Sequence, residues 1–275
     1  MPRAPRTVGI TGRTDVDEAT EVAREVCRLC RDYGLEVVVD ESLGIEGVET
    51  ADVRSLGETS DVIITIGGDG TILRVSRLTS EHEVPILGVN LGKFGFLTEV
   101  GKDEIRDAVR RLAEGEFEVE ERSKLLVEVG GEERGDVLNE VTVITSRPAK
   151  MIQYGLLIDG FEVERAWADG VLISTPTGST AYSLSAGGPI VEPEVECTII
   201  TPLNPFKLEA RPMVVSMDRR IEVEVHDPDR AEVVLDGQKY LKFDEPVIVR
   251  RSPRKALFVR FDSSYFERLR EKFLG

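Results

Sequence analysis

The chain has 275 residues, 41% of them hydrophobic, with 35 Lys and Arg against 51 Asp and Glu, a formal net charge of −16. That length and apolar fraction suffice for one large or two modest cores, and a field of that sign repels nucleic acid and anionic lipid. No apolar run approaches the roughly 20 residues of a membrane-spanning helix, and the first six residues lead straight into a strand-like pattern with no signal-peptide run, so a cytoplasmic, soluble protein without nucleic-acid or membrane partners is expected.

Residues 7–10 read as a strand. Residues 17–33 carry Val22, Ala23, Val26, Leu29, Cys30 and Tyr33 at helical spacing, and Gly34 stops that helix. Cys27 and Cys30 form the chain's one CxxC, with Cys197, His82 and His226 far away in sequence. On this helix the pair reads as packing rather than redox or metal chemistry. A strand at 35–39, an apolar run at 61–66, a helix at 71–78, a strand at 85–89 and a helix at 102–113 follow. That alternation implies a mostly parallel sheet covered on both faces.

Near Gly115 the rhythm changes. Short strands are expected at 116–129, 137–145, 153–158, 161–165, 171–174, 197–201, 213–216, 221–225, 232–235, 247–250 and 256–261, separated by Gly, Pro and Asp. The tail has Tyr265, Phe266, Leu269 and Phe273 at helical spacing. The expected fold class is an α/β N-terminal domain with a mostly parallel sheet, plus an all-β sandwich-like C-terminal domain. The expected domains are 1–114, with 262–275 packing back on it, and 115–261.

Three motifs carry chemistry. Gly67-Gly68-Asp69-Gly70-Thr71 follows the buried-strand pattern and opens a helix. Glycines there admit tight turns and bring backbone N–H groups to phosphate. The aspartate repels bare phosphate, but suits accepting a proton from an attacking hydroxyl or meeting Mg²⁺. A plain strand-to-helix turn with Asp as a local cap is the competing reading. Asn139-Glu140 is a polar pair in an apolar strand, able to accept from and donate to a ribose diol; a solvated strand end competes. Residues 168–183 end a strand in a run of hydroxyls, Ser174-Thr175-Pro176-Thr177-Gly178-Ser179-Thr180-Ala181-Tyr182-Ser183. Ser179 or Thr180 is expected to cap a short helix there, and Tyr182 offers a face for stacking on a base.

In this order the motifs resemble those of the NAD kinase family: its GGDG signature, its NE pair, and its DG-x-x-x-STPTGSTAY signature at Asp169 to Tyr182. Gly88-Val89-Asn90 with Gly92-Lys93-Phe94-Gly95-Phe96-Leu97 is similar to another family segment, and Asp236-Gly237-Gln238 to its late DGQ turn. The resemblance implies a two-domain kinase that holds the dinucleotide between its domains and phosphorylates the adenosine-ribose 2′-hydroxyl of NAD, with ATP or polyphosphate as donor. By that resemblance Asp69 is catalytic, orienting or deprotonating the hydroxyl. Gly67, Gly68, Gly70 and Thr71 face the donor phosphates. NAD is bound by Gly70, Phe96, Asn139, Glu140, Asp169, Thr180, Ala181, Tyr182 and Ser185. Mg²⁺ or another divalent cation is held largely by the donor phosphates. Asp169 implies a homodimer or homotetramer with sites near subunit boundaries. The chain departs from many bacterial members at Trp167-Ala168, where they carry Arg-Gly, and at Asn204-Pro205-Phe206, in a segment where they carry a His. A lipid kinase sharing the GGDG signature and a non-catalytic NAD(P)-binding sensor are the alternatives.

Overall fold

The structure, a computed structural model, describes residues 3–92, 95–207, 209–261 and 264–274, with side chains as far as Lys272. Lys93 and Phe94 of the glycine-rich segment, residues 262, 263 and 275 of the tail, and the Phe273 side chain lie outside the described residues. In chain order the elements are β1 (Thr7–Gly12), α1 (Asp17–Asp32), β2 (Glu36–Asp40), β3 (Glu49–Ala51), α2 (Val53–Thr59), β4 (Val62–Gly67), α3 (Asp69–Leu78), β5 (Ile86–Asn90), β6 (Val100–Gly101) and α4 (Ile105–Glu114). Then come β7 (Glu118–Val129), β8 (Glu132–Val137), β9 (Glu140–Thr145), β10 (Ile152–Ile158), β11 (Phe161–Ala168), β12 (Gly170–Ser174), α5 (Tyr182–Ser185), β13 (Cys197–Leu203), β14 (Met213–Ser216), β15 (Ile221–Val225), β16 (Ala231–Leu235), β17 (Lys239–Leu241), β18 (Val247–Arg260) and α6 (Tyr265–Leu274).

The chain divides into two compact units, residues 1–121 with 256–275, and residues 122–255. The divisions fall inside β7 and β18. The boundaries expected from sequence, at 114/115 and 261/262, lie just outside the ends of those two strands.

In the first unit, parallel strands lie in the order β3–β2–β1–β4–β5. The last residues of β18 pair beside β5, with Phe258 opposite Ile86. Every residue of β4 is buried, as expected of a strand covered on both faces. α1 turns Val22, Ala23, Val26, Cys27, Leu29 and Cys30 into the core. Burial pushes the Cys27 thiol up to about 11 and the Cys30 thiol up to about 12, so both stay protonated and pack as small apolar groups. The tail is anchored by charge. Arg268 on α6 donates to Glu99 at 3.2 Å, and Arg260 donates to the same carboxylate at 3.0 Å. Phe266 stays 60% exposed, so helical apolar spacing alone does not describe how α6 docks.

Strand order also locates a topological switch point. From β1 the chain moves to β2 on one side, then returns to β4 on the other. Such a switch point, at the carboxyl ends of parallel strands, is where open α/β sheets bind ligands. Gly67 ends β4 there, one residue beyond Ile66, which stands opposite Gly12 at the end of β1.

The second unit is a sandwich of two antiparallel layers. One runs β14–β13–β12–β9–β16–β17; the other contains β11–β10–β15–β18 and the β7–β8 hairpin. Val127, Val143, Tyr154, Ile173, Val223 and Val249, from both layers, share one core. The run expected at 137–145 is two strands. It breaks at Leu138-Asn139, because the backbone N–H groups there bond a side chain instead of a neighbouring strand.

Candidate active site

The glycine turn of the first unit separates into glycines that packing demands and glycines that it does not. A Cβ on Gly67 would lie 2.3 Å from Thr71 Oγ1, so that position must be bare. A Cβ on Gly68 or Gly70 would meet nothing within 4 Å. Gly68 also has an extended backbone (φ −130°, ψ −170°) that most residues adopt. Gly67 and Thr71 are buried, Gly68 and Asp69 half-buried, and Gly70 exposed.

Asp69 is the first residue of α3, but its carboxylate makes no cap to that helix, which removes the local-cap reading. It reaches instead to the segment after β5. Phe96 N–H donates to Oδ2 at 2.8 Å, while Leu97 and Thr98 N–H donate to Oδ1 at 3.0 and 3.4 Å. Three backbone donors and the start of a helix compensate a negative charge at this point. Oδ1 serves two donors and Oδ2 one, leaving acceptor capacity on Oδ2. The approach is close enough that a Cβ on Gly95 would sit 1.9 Å from Asp69 Oδ1. Gly95 is therefore part of the site's construction, although the sequence shows it only as one glycine among several.

In the second unit the Asn139-Glu140 pair is built on Asp236. Its carboxylate accepts from Leu138 N–H at 3.0 Å, Asn139 N–H at 2.7 Å and Glu140 N–H at 3.1 Å. The Asn139 carbonyl accepts in turn from Thr175 N–H at 2.9 Å and Ser174 Oγ at 3.1 Å. A Cβ on Gly178 would come 2.2 Å from that carbonyl. The hydroxyl-rich segment is thus strapped against the polar pair. Glu140 is buried, its Oε2 sealed without a hydrogen-bond partner. Burial, and then the neighbouring Asp236 charge, push its carboxyl up to about 8. Burial also raises Asp236, against the pull of its three N–H donors and of Lys124.

The hydroxyls of residues 174–183 serve the protein more than the sequence reading allows. Ser179 Oγ exchanges bonds with the backbone of Val191, both 3.1 Å, and Ser183 pairs with Thr201. Thr180 Oγ1 donates back to Thr177 O at 3.3 Å. Neither Ser179 nor Thr180 therefore caps the following helix: α5 begins at Tyr182 after Ala181, with no side-chain cap. What remains accessible is half-buried Thr180 and Ala181, and exposed Tyr182 and Ser185. Asp169, half-buried, accepts from Asn204 Nδ2 at 2.9 Å. Among the described residues no group of three or more His, Cys, Asp and Glu side chains is placed to hold a metal ion. No described helix is long and apolar enough to cross a membrane.

With this geometry in view, residues 8–117 match the model of the ATP-NAD kinase N-terminal domain, and residues 138–261 that of the ATP-NAD kinase C-terminal domain. A protein of Methanopyrus kandleri named NAD kinase is 68% identical over 270 residues, covering 98% of each chain. The solved structure of an NAD kinase from Archaeoglobus fulgidus in complex with ATP is 32% identical, with a TM-score of 0.82 over 96% of this chain and 99% of that one. A yeast NADH kinase complexed with NADH shares the fold at 23% identity, with a TM-score of 0.88 over 99% of this chain and 88% of the other.

Proposed function

This chain belongs to the NAD kinase family, and we propose that its phosphotransfer runs through Asp69. The reaction moves a phosphoryl group onto the adenosine-ribose 2′-hydroxyl of NAD, and the family match across both halves sets aside the lipid-kinase reading. Asp69 Oδ2 accepts a hydrogen bond from that hydroxyl and takes its proton as the oxygen attacks. In phosphoryl transfer, aligning the nucleophile matters as much as removing its proton. The three N–H donors on Asp69 fix the carboxylate before substrate arrives. That pre-organisation is the observation that carries the reading.

The open space at Gly68 and Gly70 supports donor phosphates approaching the backbone at the start of α3, with Gly67 and Thr71 shaping the turn. The donor is ATP or polyphosphate. Mg²⁺ or another divalent cation would be held largely by the donor's phosphates, where it would supply charge neutralisation for the transferring group. On the NAD side, the second unit offers Asn139 and Glu140 to ribose hydroxyls and Thr180, Ala181 and Tyr182 to the adenosine, with Ser185 near them in sequence; the first unit offers Phe96 to the adenosine. Gly70 serves both substrates. Asp169 reaches the dinucleotide of a neighbouring copy, so the working form is a homo-oligomer, acting in the cytoplasm. Residues 1–114 supply the phosphate turn, and the β-rich residues 115–261 supply the NAD-binding surface.

Incubating the purified protein with NAD and each donor in turn, with Mg²⁺, and detecting NADP by a dehydrogenase specific for it, tests the reading. It predicts NADP with at least one donor. Binding of NAD without NADP from either donor would favour a sensor instead.

A further inference from the structure

Among the described residues, Glu140 carries a sealed and unpartnered carboxyl oxygen, Oε2. It is buried at 6% exposure at the head of β9. A buried carboxylate ordinarily finds a cation or several N–H donors. Here the three nearby N–H groups, including Glu140's own, are taken by Asp236. β12 places uncharged Ser174 opposite Glu140, and the Ser174 hydroxyl is spent on the carbonyls of Asn139 and Thr175. Lys124 of β7 pulls the Asp236 carboxyl down. Glu140 is thus a second buried carboxyl beside one that already holds the three N–H donors.

We propose that Asp236 is the positioning residue of the dinucleotide site, and that Glu140 meets the ribose as a neutral carboxylic acid, donating a hydrogen bond to a hydroxyl oxygen. This rests on the reading of Asn139 and Glu140 as part of the NAD site. Asp236 sets the backbone of three consecutive residues and so aims both side chains. Its charge and the dry surroundings keep the Glu140 proton in place at neutral pH, consistent with a carboxyl pushed up to about 8. Two like carboxyls with split roles, one charged and structural and one neutral and donating, are what such an environment selects. The sign follows: the donating form dominates below about 8 and is lost above it.

NAD binding to the full chain by calorimetry, from pH 6.5 to 9.5, tests this. Wild-type affinity should fall about thirtyfold across that range, the loss of the protonated fraction. Glu140→Gln, a permanent neutral donor, should flatten the dependence and bind NAD at least tenfold more tightly than wild type at pH 9.5. Asp236→Asn should raise KM for NAD more than it lowers kcat, and should move the alkaline limb to lower pH, because a repelling charge is gone. A residue that only holds the fold together would cost stability without moving that limb. If Asp236→Asn does not fold, the Glu140→Gln comparison decides alone. A flat wild-type profile, or Glu140→Gln binding no better than wild type at pH 9.5, overturns the inference. Asn139→Ala separates the two failures: weakened NAD binding there leaves the site reading standing while the inference falls, and unchanged binding removes the site reading itself.

Discussion

Gly95→Ala is the most exacting test of how the turn is built. The added Cβ would lie 1.9 Å from Asp69 Oδ1 and 2.4 Å from its Cγ. Ordinary contact begins near 3.4 Å, so either the carboxylate or the 95–98 backbone must retreat by more than an ångström. Retreat breaks some of the bonds at 2.8, 3.0 and 3.4 Å that fix Asp69. A shift of about 1 Å in a positioned catalytic group costs on the order of a hundredfold in rate, and overpacking of this kind costs about 1–3 kcal/mol of stability. Initial rates of NADP formation, with NAD affinity measured separately, should therefore show kcat down about a hundredfold and affinity changed far less. Gly92→Ala, where a Cβ meets nothing within 4 Å, is the control. A Gly95→Ala enzyme within threefold of wild-type kcat would refute the claim that this contact holds the carboxylate in its working position.

Other expectations follow from the same geometry. Gly178→Ala brings a Cβ within 2.2 Å of Asn139 O, so it should lower the melting temperature, by a loss of about 1–3 kcal/mol, and weaken NAD binding. Because the Glu140 carboxyl is raised from 4.5 to about 8, its contribution is fully present below pH 4.5 and fades as pH rises through about 8. Relative to Glu140→Gln, the wild type should lose stability over that window, about 3 kcal/mol of it between pH 6 and pH 9; parallel denaturant curves at those two pH values would show it, and equal pH dependence of the two proteins would contradict it. Cys27 and Cys30, held at about 11 and about 12, should resist iodoacetamide at pH 8 until the protein is unfolded. Native alkylation within minutes would contradict their burial.

Long periodic elements were legible in the chain itself. The apolar run of β4 and the stripe of α1 announce a covered parallel sheet, because burial on both faces, or along one stripe, leaves a direct mark on residue type. α2 was missed. It spans Val53–Thr59, too short for a stripe, and its clearest signal is Asp52, which accepts from Arg54 and Ser55 N–H. In the candidate site, Asp69, Asn139 and Glu140 stood out as polar residues in apolar or glycine-rich settings. Their supports stood out only as members of motifs shared with the family, with no role attached. Asp236 acts on a segment 96 to 98 residues earlier, and Gly95 matters through one contact with Asp69. Contacts made across such separations leave no local pattern. The hydroxyls of Ser179 and Ser183 misled for the same reason, since their partners, Val191 and Thr201, lie 12 and 18 residues onward.

The central claim is that one pre-positioned carboxylate takes the proton from the hydroxyl of NAD. Asp69→Asn removes the base and turns one acceptor into a donor facing backbone N–H groups. Single-turnover rates with saturating NAD and Mg-ATP, set beside the dissociation constant of NAD, measure the consequence directly. The account predicts a fall of at least about a hundredfold in rate, with NAD affinity nearly kept. Turnover close to wild type in a folded Asp69→Asn protein would contradict it.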